Sequence, residues 1–234
     1  MKRTLIVLFA LLTTLSTLAN LPFTNGDRIA FLGDSITQNG SDDPRGWVNI
    51  VESRVRKEVD EVAFIHAGIG GNTSSDMLKR VNADVIRRKP TWVFFSCGVN
   101  DSPNPVVENP GVPLDKYIKN VTAIFDKLDK TKAKIVVLSQ TPVLEDDPNY
   151  AANVNLVSYN AELKRMALER KYIYLDPGAA VRKAIESKKD SKKRELTYDG
   201  THLSDRGNAI FAEVVLNGLE SVLPPWRTPA RPAD

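Results

Sequence analysis

Apolar residues along this chain alternate between two rhythms. Arg28-Ile29-Ala30-Phe31-Leu32, Val62-Ala63-Phe64-Ile65-His66-Ala67, Trp92-Val93-Phe94-Phe95-Ser96, Lys134-Ile135-Val136-Val137-Leu138-Ser139 and Tyr172-Ile173-Tyr174-Leu175-Asp176 are short, nearly continuous runs rich in β-branched or aromatic residues. That is the pattern of strands buried on both faces. Between them the spacing changes to three and four. Trp47, Ile50, Val51, Val55 and Val59 predict a helix from about Gly46 to Val59, and Met77, Leu78, Val81 and Val85 a second one capped by Thr73 or Ser74. Leu114, Tyr117, Ile118, Val121, Ile124, Phe125 and Leu128 mark a third helix, and a fourth runs from about Val154 to Arg170. The last, capped by Ser204 or Asp205, turns Ile210, Phe211, Val214, Val215 and Leu219 to the core. Strands alternating with helices predict an α/β fold, a flavodoxin-like three-layer sandwich with a five-stranded parallel sheet. The order 2-1-3-4-5 satisfies right-handed crossovers.

The strands end in turn chemistry. The first stops at Gly33-Asp34-Ser35-Ile36-Thr37, the second at Gly68-Ile69-Gly70-Gly71-Asn72-Thr73, and the third at Gly98-Val99-Asn100-Asp101. Ligands of open α/β sheets sit at the carboxyl ends of strands. A glycine there lets the chain bend sharply enough to expose the next side chain, which suits a nucleophilic Ser35, although Asp and Ser are also ordinary helix caps. Ser102 to Pro113 follows the third strand with four prolines and a glycine. It is a long surface loop placed to line a pocket. A second irregular segment, Val143 to about Asn153, carries Glu145, Asp146 and Asp147.

Composition narrows the function. Met1-Lys2-Arg3, the apolar run Thr4 to Leu12 and the small residues Thr17 and Ala19 have the form of a secretory signal peptide over residues 1–19, leaving residues 20–234 as a single domain. A secreted or periplasmic location is expected, with no stable membrane insertion once the leader is cut; the alternative is that the segment stays as an uncleaved N-terminal anchor. Removing Lys2 and Arg3 leaves 30 basic against 29 acidic residues, so no nucleic-acid partner is implied by charge. The single cysteine, Cys97, sits in an apolar run and reads as a small core residue. The charged stretch Ser187 to Glu195 reads as a solvated loop, and the proline-rich tail Pro224 to Asp234 as lying loosely on the surface. Nothing fixes the oligomeric state.

Only two histidines are present. His66 lies within a strand and reads as packed and bonded to backbone. His202 follows Asp199 by three residues in a glycine-containing turn that enters a helix. Such a turn brings the carboxylate beside one ring nitrogen and leaves the other for a nucleophile, or else it organises the helix entry. Two histidines and one cysteine without paired spacing do not make a usual zinc set, so no metal is expected. The glycines match neither the dinucleotide fingerprint nor a P-loop, which leaves a phosphate or flavin cofactor without support.

Gly33-Asp34-Ser35-Ile36, Gly71 before Asn72, Gly98-Val99-Asn100-Asp101 and Asp199-Gly200-Thr201-His202, in that order over nearly the whole mature chain, resemble the SGNH hydrolases, also called GDSL esterases and lipases. The resemblance implies that Ser35 is the nucleophile, His202 the general base and Asp199 its orienting partner. It further implies an oxyanion hole from the backbone N–H groups of Ser35 and Gly71 and the side-chain amide of Asn100, with no cofactor. Ile36 departs from the leucine of the name motif, a matter of packing. Asn72 stands where many relatives carry aspartate, which bears on the hydrogen bonding behind the hole.

The expected activity is a serine esterase working through an acyl-enzyme on a small-molecule or polysaccharide ester, first of all an O-acetylated carbohydrate. The alternatives are a lysophospholipase or acyl-thioesterase acting on lipids, and a non-catalytic carbohydrate-binding protein on the same scaffold.

Overall fold

In the computed structural model, which describes residues 21–104, 108–147 and 151–222, five parallel strands lie in the order β2-β1-β3-β4-β5. They are β1 (Asp27–Gly33), β2 (Val62–Gly68), β3 (Trp92–Ser96), β4 (Lys134–Leu138) and β5 (Ile173–Leu175). Seven helices are described: α1 (Ser35–Asp42), α2 (Trp47–Val55), α3 (Ser74–Asp84), α4 (Leu114–Asp129), α5 (Ala151–Glu169), α6 (Pro177–Glu186) and α7 (Asp205–Glu220). The architecture and strand order are those predicted from the sequence. The expected leader over 1–19 and the tail from Pro224 lie outside the described residues, as do 105–107 of the loop after β3.

The two faces of the sheet carry separate cores. Ile29, Phe31, Trp92, Phe94, Val136 and Leu138 pack under α1, α2, α6 and α7, whereas Ala30, Leu32, Val93, Phe95, Ile135 and Val137 pack under α3, α4 and α5. Alternate residues of one strand thus serve opposite layers, so all five residues of β3 are buried and its sequence has no polar period. Trp47 joins the site-bearing end to the core. Its ring meets Phe31 edge-on and lies against Phe211, and its indole N–H donates to the Ile36 carbonyl at 3.1 Å.

Several local expectations are corrected. The helix predicted from Gly46 to Val59 stops at Val55, with Gly46 as its cap and Val59 buried in the turn beyond. The fifth strand is trimmed to three residues because Asp176 caps α6 by accepting from Ala179 N–H, and α6 is a helix that the spacing had not indicated. His66 is exposed and its Nε2 pairs with Glu52 Oε1 at 2.5 Å rather than with backbone. β2 is an edge strand, so a side chain near its margin reaches solvent. Lys188, within the stretch expected to be solvated, is buried against Glu145 at 2.9 Å. Cys97 is in the core as expected, and burial pushes its thiol well above the usual range.

Candidate active site

The carboxyl ends of β1, β2, β3 and β4 converge on one open pocket of about 640 Å³. Ser35 enters it from the first position of α1, immediately after β1. Gly33 is required there, since a Cβ would stand 2.0 Å from Thr37 Oγ1. Asp34 caps α1 through an Ile36 N–H bond of 3.0 Å to Oδ1. The Asp34 side chain is fully buried, and Oδ2 has no partner among the described residues. Burial outweighs the Ile36 bond and raises this carboxyl to about 7, with Asp101 adding to the rise.

His202 Nε2 lies 2.9 Å from Ser35 Oγ although 167 residues separate them. His202 Nδ1 is 2.6 Å from Asp199 Oδ2. A carboxylate only accepts, so Nδ1 carries the proton and Nε2 is left to accept from the serine hydroxyl. Asp199 also accepts the N–H of Thr201 at 2.9 Å and of His202 at 2.8 Å through Oδ1. Burial acts to raise its carboxyl, but these bonds prevail and hold it below the ordinary carboxylate value. The two residues sit at the tip of a hairpin closed by a Thr197–Leu203 bridge and by Tyr198 N–H donating to the His202 carbonyl at 3.0 Å.

Three possible donors belong to residues that line the same pocket. Ser35 is the first helical residue, so its N–H has no intrahelical acceptor. Gly71 stands at φ +74°, a conformation that favours glycine, and its N–H finds no acceptor among the described residues. Asn100 gives one amide hydrogen to the Asn72 carbonyl at 3.0 Å, which fixes the side chain and leaves the second hydrogen unused. The sequence-predicted residues Ser35, Gly71, Asn100, Asp199 and His202 all line the one pocket. Among the described residues, no group of three or more His, Cys, Asp or Glu side chains is placed to hold a metal ion.

Three supporting residues were not singled out from the sequence. Arg80 donates to Asn72 Oδ1 at 2.6 Å, to the Ala67 carbonyl at 2.8 Å and to the Gly33 carbonyl at 2.9 Å, tying the ends of β1 and β2 together behind the glycine turn. Asn72 Oδ1 thus serves Arg80 as an uncharged acceptor. Tyr198, largely exposed, stacks on the His202 ring at 5.7 Å and 17°, while its hydroxyl accepts from Asn39 at 2.9 Å. Its position beside Asp199 was the only available clue. Glu145, noted only as part of an acidic stretch, accepts from the N–H groups of Glu195, Leu196 and Thr197 at the base of the hairpin. Asp101 is equally interior: it accepts the Ser74 N–H and hydroxyl and so fixes the start of α3 to the loop after β3.

The GDSL-like lipase/acylhydrolase family model matches residues 31–210. An acetylxylan esterase from Geobacillus stearothermophilus is 26% identical over 211 residues, covering 83% of this chain and 94% of that protein. The isoamyl acetate-hydrolysing esterase of Saccharomyces cerevisiae is 21% identical over 220 residues, covering 86% and 89%. The crystal structure of the Geobacillus acetylxylan esterase superposes with a TM-score of 0.74 at 24% identity, over 85% of this chain and 96% of that one. The last likeness concerns the fold.

Proposed function

The chain belongs to the GDSL-like lipase/acylhydrolase family and is a carboxylic ester hydrolase, and from that footing we propose that it is an exported serine esterase which deacetylates an O-acetylated carbohydrate through an acyl-enzyme on Ser35. The observation that carries this reading is the continuous line from Asp199 through His202 to Ser35, with contacts of 2.6 and 2.9 Å in the mouth of an open pocket.

In the first half-reaction Ser35 Oγ attacks the ester carbonyl carbon while His202 Nε2 takes its proton. Asp199 steadies the imidazolium. Negative charge grows on the carbonyl oxygen, where the N–H groups of Ser35 and Gly71 and the Asn100 amide stabilise it more than they stabilise the ground-state carbonyl. Collapse breaks the bond to the alkoxy oxygen, which leaves as the alcohol after taking the proton from His202. Water then attacks the acyl-enzyme with His202 again as base, releasing the carboxylic acid and restoring Ser35.

The substrate side rests on the pocket lining. Asn104, Asn109, Asp199 and Thr201 share the lining with Val99, Val143 and Leu144, and most of the exposed wall is apolar. The open mouth leaves room for a bulky alcohol such as a carbohydrate outside the acyl site. The acetyl specificities named for the two similar esterases point the same way. Export rests on the leader-like residues 1–19, and we take 20–234 as one domain. The test is acetate release from acetylated xylooligosaccharides, alongside kcat/KM for p-nitrophenyl acetate and p-nitrophenyl octanoate. The reading predicts acetate release and a preference for the acetyl ester of about tenfold or more. Octanoate preference without acetate release would contradict it and favour a lipid substrate.

A further inference from the structure

The described residues 139–147 after β4 form no helix or strand, yet Glu145 among them is as buried as the core. Its carboxylate accepts from the N–H groups of Glu195 at 2.8 Å, Leu196 at 3.0 Å and Thr197 at 2.7 Å, and from the Thr197 hydroxyl at 2.7 Å. Lys188 Nζ completes the ring at 2.9 Å, itself almost wholly buried. The backbone N–H of Glu145 reaches further along the same hairpin and donates to the Gly200 carbonyl at 3.2 Å. Residues 195–197 lead directly into Tyr198 and Asp199, and Gly200 is the turn between Asp199 and His202. One residue therefore grips the hairpin at its base and at its tip. The adjacent Val143 and Leu144 form pocket wall.

We propose that Glu145 is a positioning residue for the Asp199–His202 pair, its carboxylate and its backbone N–H together fixing the hairpin so that His202 Nε2 meets Ser35 Oγ. The proposal rests on the reading of Ser35 as nucleophile and His202 as base. The anchor is the carboxylate held by backbone donors, with the Lys188 ammonium as an auxiliary charge. Burial alone would raise the Glu145 carboxyl, but the Glu195 N–H, the Lys188 ammonium, the Thr197 hydroxyl and the Leu196 N–H outweigh it and hold it at about 2. The group is thus ionised wherever an esterase is assayed. A neutral amide of the same shape would turn an –NH₂ toward the N–H donors and leave Lys188 buried without a counter-charge. Displacement of about 1 Å in a catalytic group costs on the order of a hundredfold in rate.

Glu145→Gln and Lys188→Met separate anchor from ion pair. Both are assayed with p-nitrophenyl acetate below their melting temperatures, with rates corrected for folded fraction. They stand beside Val85→Ala, a core truncation at the far end of α3 that serves as a stability control. Glu145→Gln is predicted to lower kcat about 30- to 100-fold with KM changed less than about threefold. The low-field proton resonance of the His202 Nδ1–H to Asp199 bond should vanish or move upfield. Lys188→Met leaves four donors on the carboxylate and is predicted to keep kcat within about threefold and to retain that resonance. Should Glu145→Gln not fold, Glu145→Asp, which keeps the charge but shortens the arm, is predicted to shift kcat and the resonance in the same direction. A kcat in either Glu145 variant that matches Val85→Ala, with the resonance unmoved, would overturn the proposal. So would equal losses in Glu145→Gln and Lys188→Met. If Ser35→Ala retained wild-type activity, the esterase mechanism would fall, while the resonance would still report on the anchor by itself.

Discussion

At the scale of single residues, the catalytic candidates are legible because each is marked locally: Ser35 by a glycine and a strand end, and His202 by an aspartate three residues before it. Asn100 was assigned through the family resemblance; in the structure its amide donates to the Asn72 carbonyl, which fixes the side chain at the pocket. If its free amide hydrogen stabilises the oxyanion, Asn100→Ala should lower kcat by about a hundred- to a thousandfold, or roughly 2.7 to 4 kcal/mol, with KM little changed. Steady-state kinetics on p-nitrophenyl acetate check this, and an unchanged kcat would remove Asn100 from the hole. Glu145 was not legible, since its donors lie 43 to 52 residues away and no spacing rule links them. His66 was misread although the expected strand order already put β2 at the edge, because its partner Glu52 lies 14 residues away on α2 and no strand pattern points to it.

Asp34 gives a residue-scale prediction about pH. Its carboxyl is raised to about 7 in the folded protein against about 3.9 for an unfolded chain. Between these values the folded state binds more protons than the unfolded one, so this group's contribution to stability falls as pH rises from about 4 to about 7 and then levels off. The loss is of order 1 to 4 kcal/mol. Asp34→Asn keeps an acceptor for the Ile36 N–H and does not titrate. Urea unfolding of both proteins from pH 4 to pH 8 should show the variant gaining stability relative to wild type as pH rises to 7. A constant difference would contradict the raised value.

At the scale of elements, the strands were easy to find because parallel strands are covered on both faces and therefore read as apolar runs. α6 was missed because Asp176-Pro177-Gly178 looks like a turn, although Pro177 is a good first helical residue. Gly178 is needed there for approach to the sheet: a Cβ would lie 2.2 Å from the Gln140 carbonyl oxygen. The placement of α1 depends on a similar approach. A Cβ on Gly68, at the end of β2, would stand 2.4 Å from Gln38 N in the α1 backbone. Gly68→Ala must therefore push α1, and Ser35 with it, off the sheet edge. The predicted cost is about 1 to 3 kcal/mol by urea unfolding, together with a fall in kcat measured well below the melting temperature. A stability loss with kcat intact would mean that the shift of α1 does not reach Ser35.

At the scale of the whole molecule, the strand order determines where chemistry can occur. The chain turns from β1 to β2 on one side and then crosses to β3 on the other, so β1 and β3 flank the topological switch point. Ser35 follows β1 and Asn100 follows β3, while Gly71 follows β2 and the pocket wall at Val143 follows β4. The hairpin before α7 then brings His202 to the same edge. This convergence was legible as an expectation, since every motif but the last fell at a strand end. How the final hairpin is held in place was not, because the buried Glu145 that bonds its base lies in an irregular segment 50 to 52 residues before those donors.

The central claim is that Ser35 performs the chemistry, and the most direct measurement is the rate of p-nitrophenyl acetate hydrolysis at neutral pH by the protein and by Ser35→Ala. The account predicts that the substitution leaves a folded protein with activity reduced by about a thousandfold or more. Equal rates for the two proteins would contradict it and remove Ser35 from the mechanism.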